Sequence, residues 1–242
     1  KPRAEIVCSA TNNFNPSPSD MKTITRLLVW IIVFFFGSTI AAVVVYKWMP
    51  VYITPLMITR SIENDDEMQH KWVPIEEISE NMALAVVSSE DNLFMSHSGF
   101  DFDQIQKAIE EAEKTGRQRG ASTISQQTAK NVFLWNGRSW VRKGLEAYFT
   151  ALIELIWGKE RIMEVYLNSI EMGPGIYGAE AVAQAHFGKS ASKLTRREAA
   201  LIAATLPNPL KYSSKNPSKY MRKRQRQITR LMGLVENPHI GC

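Results

Sequence analysis

Two glutamates far apart in the chain, Glu90 and Glu146, each stand in a cluster of residues able to do chemistry. The first cluster, E-D-x-x-F-x-x-H-x-G from Glu90 to Gly99, gathers Glu90, Asp91 and His97 beside a glycine. The second, G-A-S-T-I-S-Q-Q-T-A-K-N from Gly120 to Asn131, is unusually polar for a helix start, with Gln126 and Lys130 one turn apart. The third, R-K-x-x-E from Arg142 to Glu146, sets two cations beside the second glutamate. The fourth is G-x-x-x-x-G-A-E-A-V-A-Q-A-H-F-G-K, from Gly173 to Lys189. Taken singly, each has an ordinary explanation. Glu90 and Asp91 suit a solvated helix end, and Arg142 with Glu146 at i,i+4 suits a surface ion pair of little worth. Taken together they supply a carboxylate to accept a proton, fixed cations, and amide and hydroxyl donors. A reaction that deprotonates a hydroxyl and expels an anionic leaving group needs that set.

The elements expected to position these groups are helical, because from residue 75 the apolar period is near 3.6 and not 2. Pro74 opens a first amphipathic helix, with Ile75, Ile78, Met82, Ala85 and Val86 on one face. Glu90 then stands at its end. Phe102, Ile105 and Ile109 mark a second helix, ending near Thr115-Gly116. Ser122 is placed to cap a third, running to about Leu134. Leu145, Tyr148, Phe149, Leu152 and Ile156 mark a fourth, ended by Gly158, and Glu160 to Leu167 a fifth. Residues 178 to 187 are alanine-rich and read as helix. Thr195-Arg196-Arg197-Glu198 has capping-box form and opens an apolar helix ended by Pro207. Asn216-Pro217 opens a last helix, which is basic. No strand-rich region, internal repeat or nucleotide-binding glycine signature is evident, so the fold class is all-α.

A membrane segment precedes this domain. Leu27 to Tyr46 has no charged residue, and thirteen of its residues are Leu, Ile, Val or Phe. At ~1.5 Å per residue it would be roughly 30 Å long, the thickness of a bilayer core, and its insertion is favoured by several kcal/mol. Tyr46, Trp48 and Tyr52 follow as an interfacial belt would. Lys22 and Arg26 on the near side, against Lys47 and the acidic run ENDDE (63–67) on the far side, orient the N-terminus toward the cytoplasm. The expected organisation is a disordered cytoplasmic segment over 1–26, a transmembrane helix over 27–46, a membrane-proximal linker over 47–71 and a catalytic domain over 72–242. Met21 is a candidate translation start.

Composition excludes several classes. With 45% hydrophobic and 22% charged residues the chain folds, and its net charge of +5 suits an anionic partner. The cysteines, Cys8 and Cys242, form no framework, and His70, His97, His186 and His239 lack metal-ligand spacing. A domain outside the cytoplasm has no supply of ATP, so its substrate should carry its own activation. The last helix (Lys219, Arg222, Lys223, Arg224, Arg226, Arg230) reads as a solvated face or one facing membrane phosphates. Nucleic acid fits its charge but not the compartment.

In order along the chain, E-D-x-x-F-x-x-H-x-G, G-x-S-T-I-x-Q-Q-x-x-K-N, R-K-x-x-E, K-E-R-I-M-E-V-Y-L-N (Lys159 to Asn168) and the glycine-bounded G-A-E-A-V-A-Q-A-H-F-G-K resemble the five motifs of the peptidoglycan glycosyltransferases. The resemblance spans about Trp72 to Leu210. Ser125 stands where the family often has threonine, and His186 where it often has tyrosine. The single anchor resembles the monofunctional members found in Gram-negative bacteria. Ser190 to Lys193 matches an S-x-x-K element of the bifunctional members, read here as coincidence.

The resemblance implies a lysozyme-like fold with a membrane-associated second lobe, to which Met57, Ile58 and the apolar residues 133–135 would contribute. It implies an inner-membrane enzyme with a periplasmic catalytic domain. Its substrates would be lipid II, a disaccharide-pentapeptide on undecaprenyl pyrophosphate, and the growing glycan strand, joined β-1,4 with inversion. Membrane lipids and other cell-wall synthesis or division proteins would be its partners. It casts Glu90 as the catalytic base and Glu146 as the second functional glutamate. Lys130 and Arg142 would hold the pyrophosphate, with Lys143 in a lesser part. Thr123 and Gln127 match donor-site polar residues, Asp91 and His97 orient groups around Glu90, and Phe94 packs. It leaves room for a divalent cation, magnesium or manganese, beside Glu146. A lysozyme-like glycan-cleaving enzyme and a non-catalytic scaffold are the rival expectations, and pyrophosphate-binding cations would be superfluous in both.

Overall fold

The computed structural model describes residues 18–64, 67–116, 120–137, 139–235 and 238. Residues 1–17 of the expected disordered segment, with Cys8, His239 and Cys242, lie outside the described residues. The chain divides into two units, residues 1–42 and 43–242.

The first unit is most of one helix, α1 (Pro18–Tyr46). Residues 18–26, expected to be disordered, are its opening turns. Proline suits a helix start, and no proline or glycine follows until Gly37. Its hydroxyls are satisfied within the helix: Thr25 Oγ donates to the Met21 carbonyl and Thr39 Oγ to the Phe35 carbonyl, both at 2.8 Å. Large apolar side chains along most of it, Trp30 and Phe34 among them, are exposed. The stretch 21–46 is long and apolar enough to cross a membrane.

The second unit is helical, with a three-stranded sheet of a few residues. Residues 47–71, read as a linker, contain α2 (Pro55–Asn64) and β1 (Gln69–His70). Met57 on α2 is fully buried, against the expectation that it meets the membrane. Its neighbour Ile58, half exposed, points to a different face, as successive helical residues must. Leu134 is buried in the same way, whereas Trp135 is exposed.

The single helix expected from residue 75 is broken. Residues Ile75–Glu77 make one 3-10 turn, Ile78 is extended (φ −108°, ψ 131°), and Ser79 precedes α3 (Glu80–Glu90). The break lets Ser79 Oγ donate to the Leu194 carbonyl at 2.9 Å, a tertiary contact that periodicity does not register. From Met82 to Ser88 α3 is buried on every side, so it runs through the core. Then come α4 (Phe102–Thr115), ended by left-handed Gly116, and α5 (Ile124–Phe133). The cap of α5 is Thr123 and not Ser122: Thr123 Oγ accepts from the Gln126 amide while the Gln126 side chain accepts from the Thr123 amide.

Next are α6 (Trp140–Ile156), α7 (Lys159–Ser169), β2 (Glu171–Gly173), β3 (Ile176–Tyr177), α8 (Ala179–Phe187), α9 (Arg196–Ala203) and α10 (Lys219–Leu231). Strand β3 pairs parallel with β1 and antiparallel with β2. Asn168 ties β1's exit to α7, its side chain exchanging two hydrogen bonds with the Val73 backbone. Helix α5 packs against α6 and α7, and α3 against α9, α10 and α7. The shared core includes Met82, Val86, Phe94, Ile124, Ile162 and Met163, all fully buried. Truncating one to alanine would cost about 2–5 kcal/mol.

Candidate active site

Glu90 is the last residue of α3, carried by a buried helix to the edge of the core. Gln127 Nε2 donates to its Oε2 at 3.1 Å, and Ser89 Oγ to its Oε1 at 3.2 Å. Gln127 is held in turn by Tyr166, whose hydroxyl donates to Gln127 Oε1 at 3.2 Å. Burial raises the Glu90 carboxyl above the usual carboxylate range, and the bonds from Gln127 and Ser89, with the charge of Arg224, offset only part of that. Burial likewise pushes the Tyr166 hydroxyl far up, aided by the charges of Glu90 and Asp91. Tyr166 therefore stays a neutral donor, and it sets which end of the Gln127 amide faces the carboxylate. Tyr166 lies in the Lys159 to Asn168 run, whose residue types alone mark none of them as part of the site.

Asp91, the next residue, faces elsewhere. Its Oδ2 accepts the Ile124 amide at the start of α5 (3.0 Å), and both oxygens accept from His97 Nε2 at 2.9 and 3.0 Å. His97 Nδ1 accepts the Gly99 amide at 3.1 Å. Gly99 has φ +86°, and a Cβ there would stand 2.8 Å from Thr150 Cγ2. Its carbonyl accepts from Thr123 Oγ at 2.7 Å. The motif residues Asp91, His97, Gly99 and Thr123 are thus one hydrogen-bonded clasp joining the segment after α3 to the start of α5. The clasp sets Gln127, one turn into α5, against Glu90. Phe94 lies in the core, with Lys159 Nζ 4.6 Å above its ring.

Two cavities flank this point. One, of about 250 Å³, is lined by Glu90, Ser88, Asn92, Asp101, Gln104 and Arg224 among others. The other, of about 430 Å³, is lined by Gln127, Lys130, Asn131, Arg142, Arg60 and Glu171 among others. Glu90 lines the first and its partner Gln127 the second.

The second cavity is cationic. Burial lowers the Lys130 ammonium below its ordinary value. Glu146 counters that, while Arg142, Lys143 and Arg60 push it down further. Glu146, 3% exposed, is no surface carboxylate: Lys143 Nζ donates to Oε1 and Arg142 Nη1 to Oε2, the latter at 3.4 Å. Asn131 is 1% exposed, and among the described residues neither of its side-chain atoms has a hydrogen-bond partner, nor has the buried Nε of Arg142 or of Arg60. A ligand rich in acceptor oxygens would satisfy those donors.

A divalent ion does not fit Glu146 as it stands. Each of its oxygens already meets a cation, with Lys130 close behind, and among the described residues no three His, Cys, Asp or Glu side chains converge.

A family model described as transglycosylase matches residues 57–233. The chain is similar to biosynthetic peptidoglycan transglycosylases of several bacteria. It is 58% identical to that of Bacteroides thetaiotaomicron, over 90% of each chain. It is 50% identical to that of Caulobacter vibrioides, over 88% of this chain and 93% of the relative. It is 48% identical to that of Pseudomonas entomophila, over 90% and 93%.

Proposed function

The chain belongs to the transglycosylase family, and from that premise we propose how its residues polymerise peptidoglycan glycan strands. The enzyme is a peptidoglycan glycosyltransferase. It joins disaccharide-pentapeptide units by β-1,4 linkage and releases undecaprenyl pyrophosphate. Glu90 takes the proton from the acceptor's 4-hydroxyl as that oxygen bonds to the donor's anomeric carbon. The bond from that carbon to the pyrophosphate oxygen breaks on the opposite face, which gives inversion. The electron pair leaves on the pyrophosphate, which Lys130 and Arg142 hold.

One observation carries this reading: Glu90 and Gln127 form a bonded pair with a polar cavity on the Glu90 side and a cationic cavity on the Gln127 side. The acceptor sugar belongs to the first and the donor's pyrophosphate to the second. A base with a raised pKa suits the task, since proton transfer is most efficient when the base's pKa approaches the working pH. Glu146 holds Arg142 and Lys143 in register and moderates their repulsion of Lys130. Asp91, His97 and Thr123 act through the fold, by setting α5 and therefore Gln127.

The membrane reading fits the same reaction. A helix long and apolar enough to cross a bilayer precedes the domain. The flanking charges favour a cytoplasmic N-terminus and a catalytic domain on the outer face of the inner membrane. There the substrate is lipid II, already activated by its pyrophosphate, and the second substrate is the growing strand. Other cell-wall synthesis or division proteins are partners that this placement would allow.

The experiment is to give the intact chain purified lipid-linked disaccharide-pentapeptide and to separate products by size. Polymer is expected. Cleavage of preformed glycan without polymer would instead identify a hydrolase, and neither product would identify a scaffold.

A further inference from the structure

Arg60 lies outside every motif recognised in the sequence, on α2, nine residues beyond the end of α1 by the start of that helix. Arg60 nevertheless lines the cationic cavity with Lys130 and Arg142. We propose that Arg60 is a third diphosphate-binding residue, contributed by the membrane-proximal helix to the leaving-group site. The proposal rests on the pyrophosphate reading of that cavity and extends it to a residue the motifs do not include.

Three observations converge. The Arg60 Nε is buried without a hydrogen-bond partner among the described residues, and Glu171 Oε2 stands 3.9 Å from it. That is an ion pair but too long for a hydrogen bond, so a donor remains for a ligand. Second, Asn131 and the Nε of Arg142, in the same cavity, are also buried and unbonded. Three unsatisfied donors in one cavity wall, Asn131 Nδ2 and the Nε of Arg60 and of Arg142, suit a ligand with acceptor oxygens.

The third observation is charge. Lys130, Arg142 and Lys143 stand against Glu146 and Glu171, which leaves one positive charge. A diphosphate esterified at both ends carries one negative charge on each phosphorus, so that balance falls short by one. Arg60 supplies the missing charge. An arginine also suits the place, because its planar fork reaches two phosphate oxygens at once. The position in the chain is consistent, since the diphosphate is the part of the substrate joined to the lipid.

The test uses the intact chain in detergent, with geranyl diphosphate as probe and calorimetry as readout. Arg60→Ala should weaken binding about tenfold or more, as loss of a charge-assisted bond does. Arg60→Lys should recover only part of it. Glu171→Gln should tighten binding, because it removes a negative charge facing the ligand. If Arg60 served only to pair with Glu171, both substitutions would weaken binding together.

Unchanged affinity in Arg60→Ala, with Lys130→Ala weakened, would overturn the role of Arg60 and leave the pyrophosphate site standing. Unchanged affinity in both would overturn the site and the proposal with it. Should Arg60→Ala lose its helical circular dichroism, Arg60→Lys and Glu171→Gln decide. Weakening in the first and tightening in the second supports the proposal, and any other pairing overturns it.

Discussion

Glu90 and Asp91 are successive residues whose carboxylates are committed to different structures. Glu90 receives the Gln127 side-chain amide between two cavities, and Asp91 receives the Ile124 backbone amide at the start of α5. The helix ends between them: Glu90 closes α3 and Asp91 is extended beyond it (φ −160°, ψ 78°). Their side chains therefore diverge, and their substitutions should have different signatures.

Glu90→Gln should lower polymerisation by about 10²–10⁴-fold, or roughly 3–5 kcal/mol of barrier, with the fold and substrate binding retained. Asp91→Asn leaves an amide where two donors, Ile124 N–H and His97 Nε2–H, both need acceptors. It should cost about 1–3 kcal/mol of stability, or about 2–4 °C in melting temperature per kcal/mol, with a smaller direct effect on turnover. Initial rates and thermal melts of both variants check the contrast. Abolition of turnover by Asp91→Asn, with Glu90→Gln active, would make Asp91 and not Glu90 the base.

The pH dependence of turnover should be bell-shaped. The rising limb belongs to Glu90, which must be ionised and whose pKa is raised by burial. The falling limb belongs to Lys130, which must be protonated and whose pKa is lowered by burial. Gln127→Leu removes a bond that favours the carboxylate and should move the rising limb to higher pH. Stability has the opposite sense for Glu90. A raised folded-state pKa means the native state binds the proton more tightly, so stability falls as pH climbs from the ordinary carboxylate value through the raised one. Glu90→Gln should therefore melt higher than wild type at neutral pH and equal it in acid. A neutral-pH melt below wild type would contradict the burial argument.

Lys130→Ala and Arg142→Ala should each lower polymerisation by about tenfold or more while keeping helical content. Arg142→Lys should restore only part, since lysine offers no planar fork and cannot hold Glu146 and a phosphate together. Glu146→Gln should raise the Michaelis constant for donor and lower turnover, because Arg142 and Lys143 lose the carboxylate they share. Steady-state kinetics separates these effects. Wild-type constants in any one variant would remove that residue from the site.

A reporter active only outside the cytoplasm, fused after Cys242, should be active in cells. Activity from a cytoplasm-only reporter at that position would overturn both the orientation and access to the lipid-linked substrate.

Much of the scaffold was legible from the chain because helix signals are local. The Thr195–Glu198 capping box, the left-handed Gly116 and the apolar run of α1 are each settled by residues a few positions apart. Where local signals compete, tertiary contacts decide the boundary. Ser122 and Thr123 are equally good caps on composition. Only the Gly99 carbonyl, which takes the Thr123 hydroxyl from 24 residues away, singles out Thr123. The break at Ile78 has the same origin, in a contact between Ser79 and Leu194.

The site divides along that line. Residue types alone mark the chemically apt clusters: Glu90, the cations Lys130 and Arg142, and Glu146. The tertiary structure alone decided what each one faces. It turned Asp91 into a helix-start acceptor, linked Tyr166 to Glu90 through Gln127, buried Met57, and brought Arg60 into a cavity with residues 70 and more positions away. The physical reason is range. A helix is specified by bonds four residues long, whereas an active site is specified by side chains that share a space only after the helices have packed.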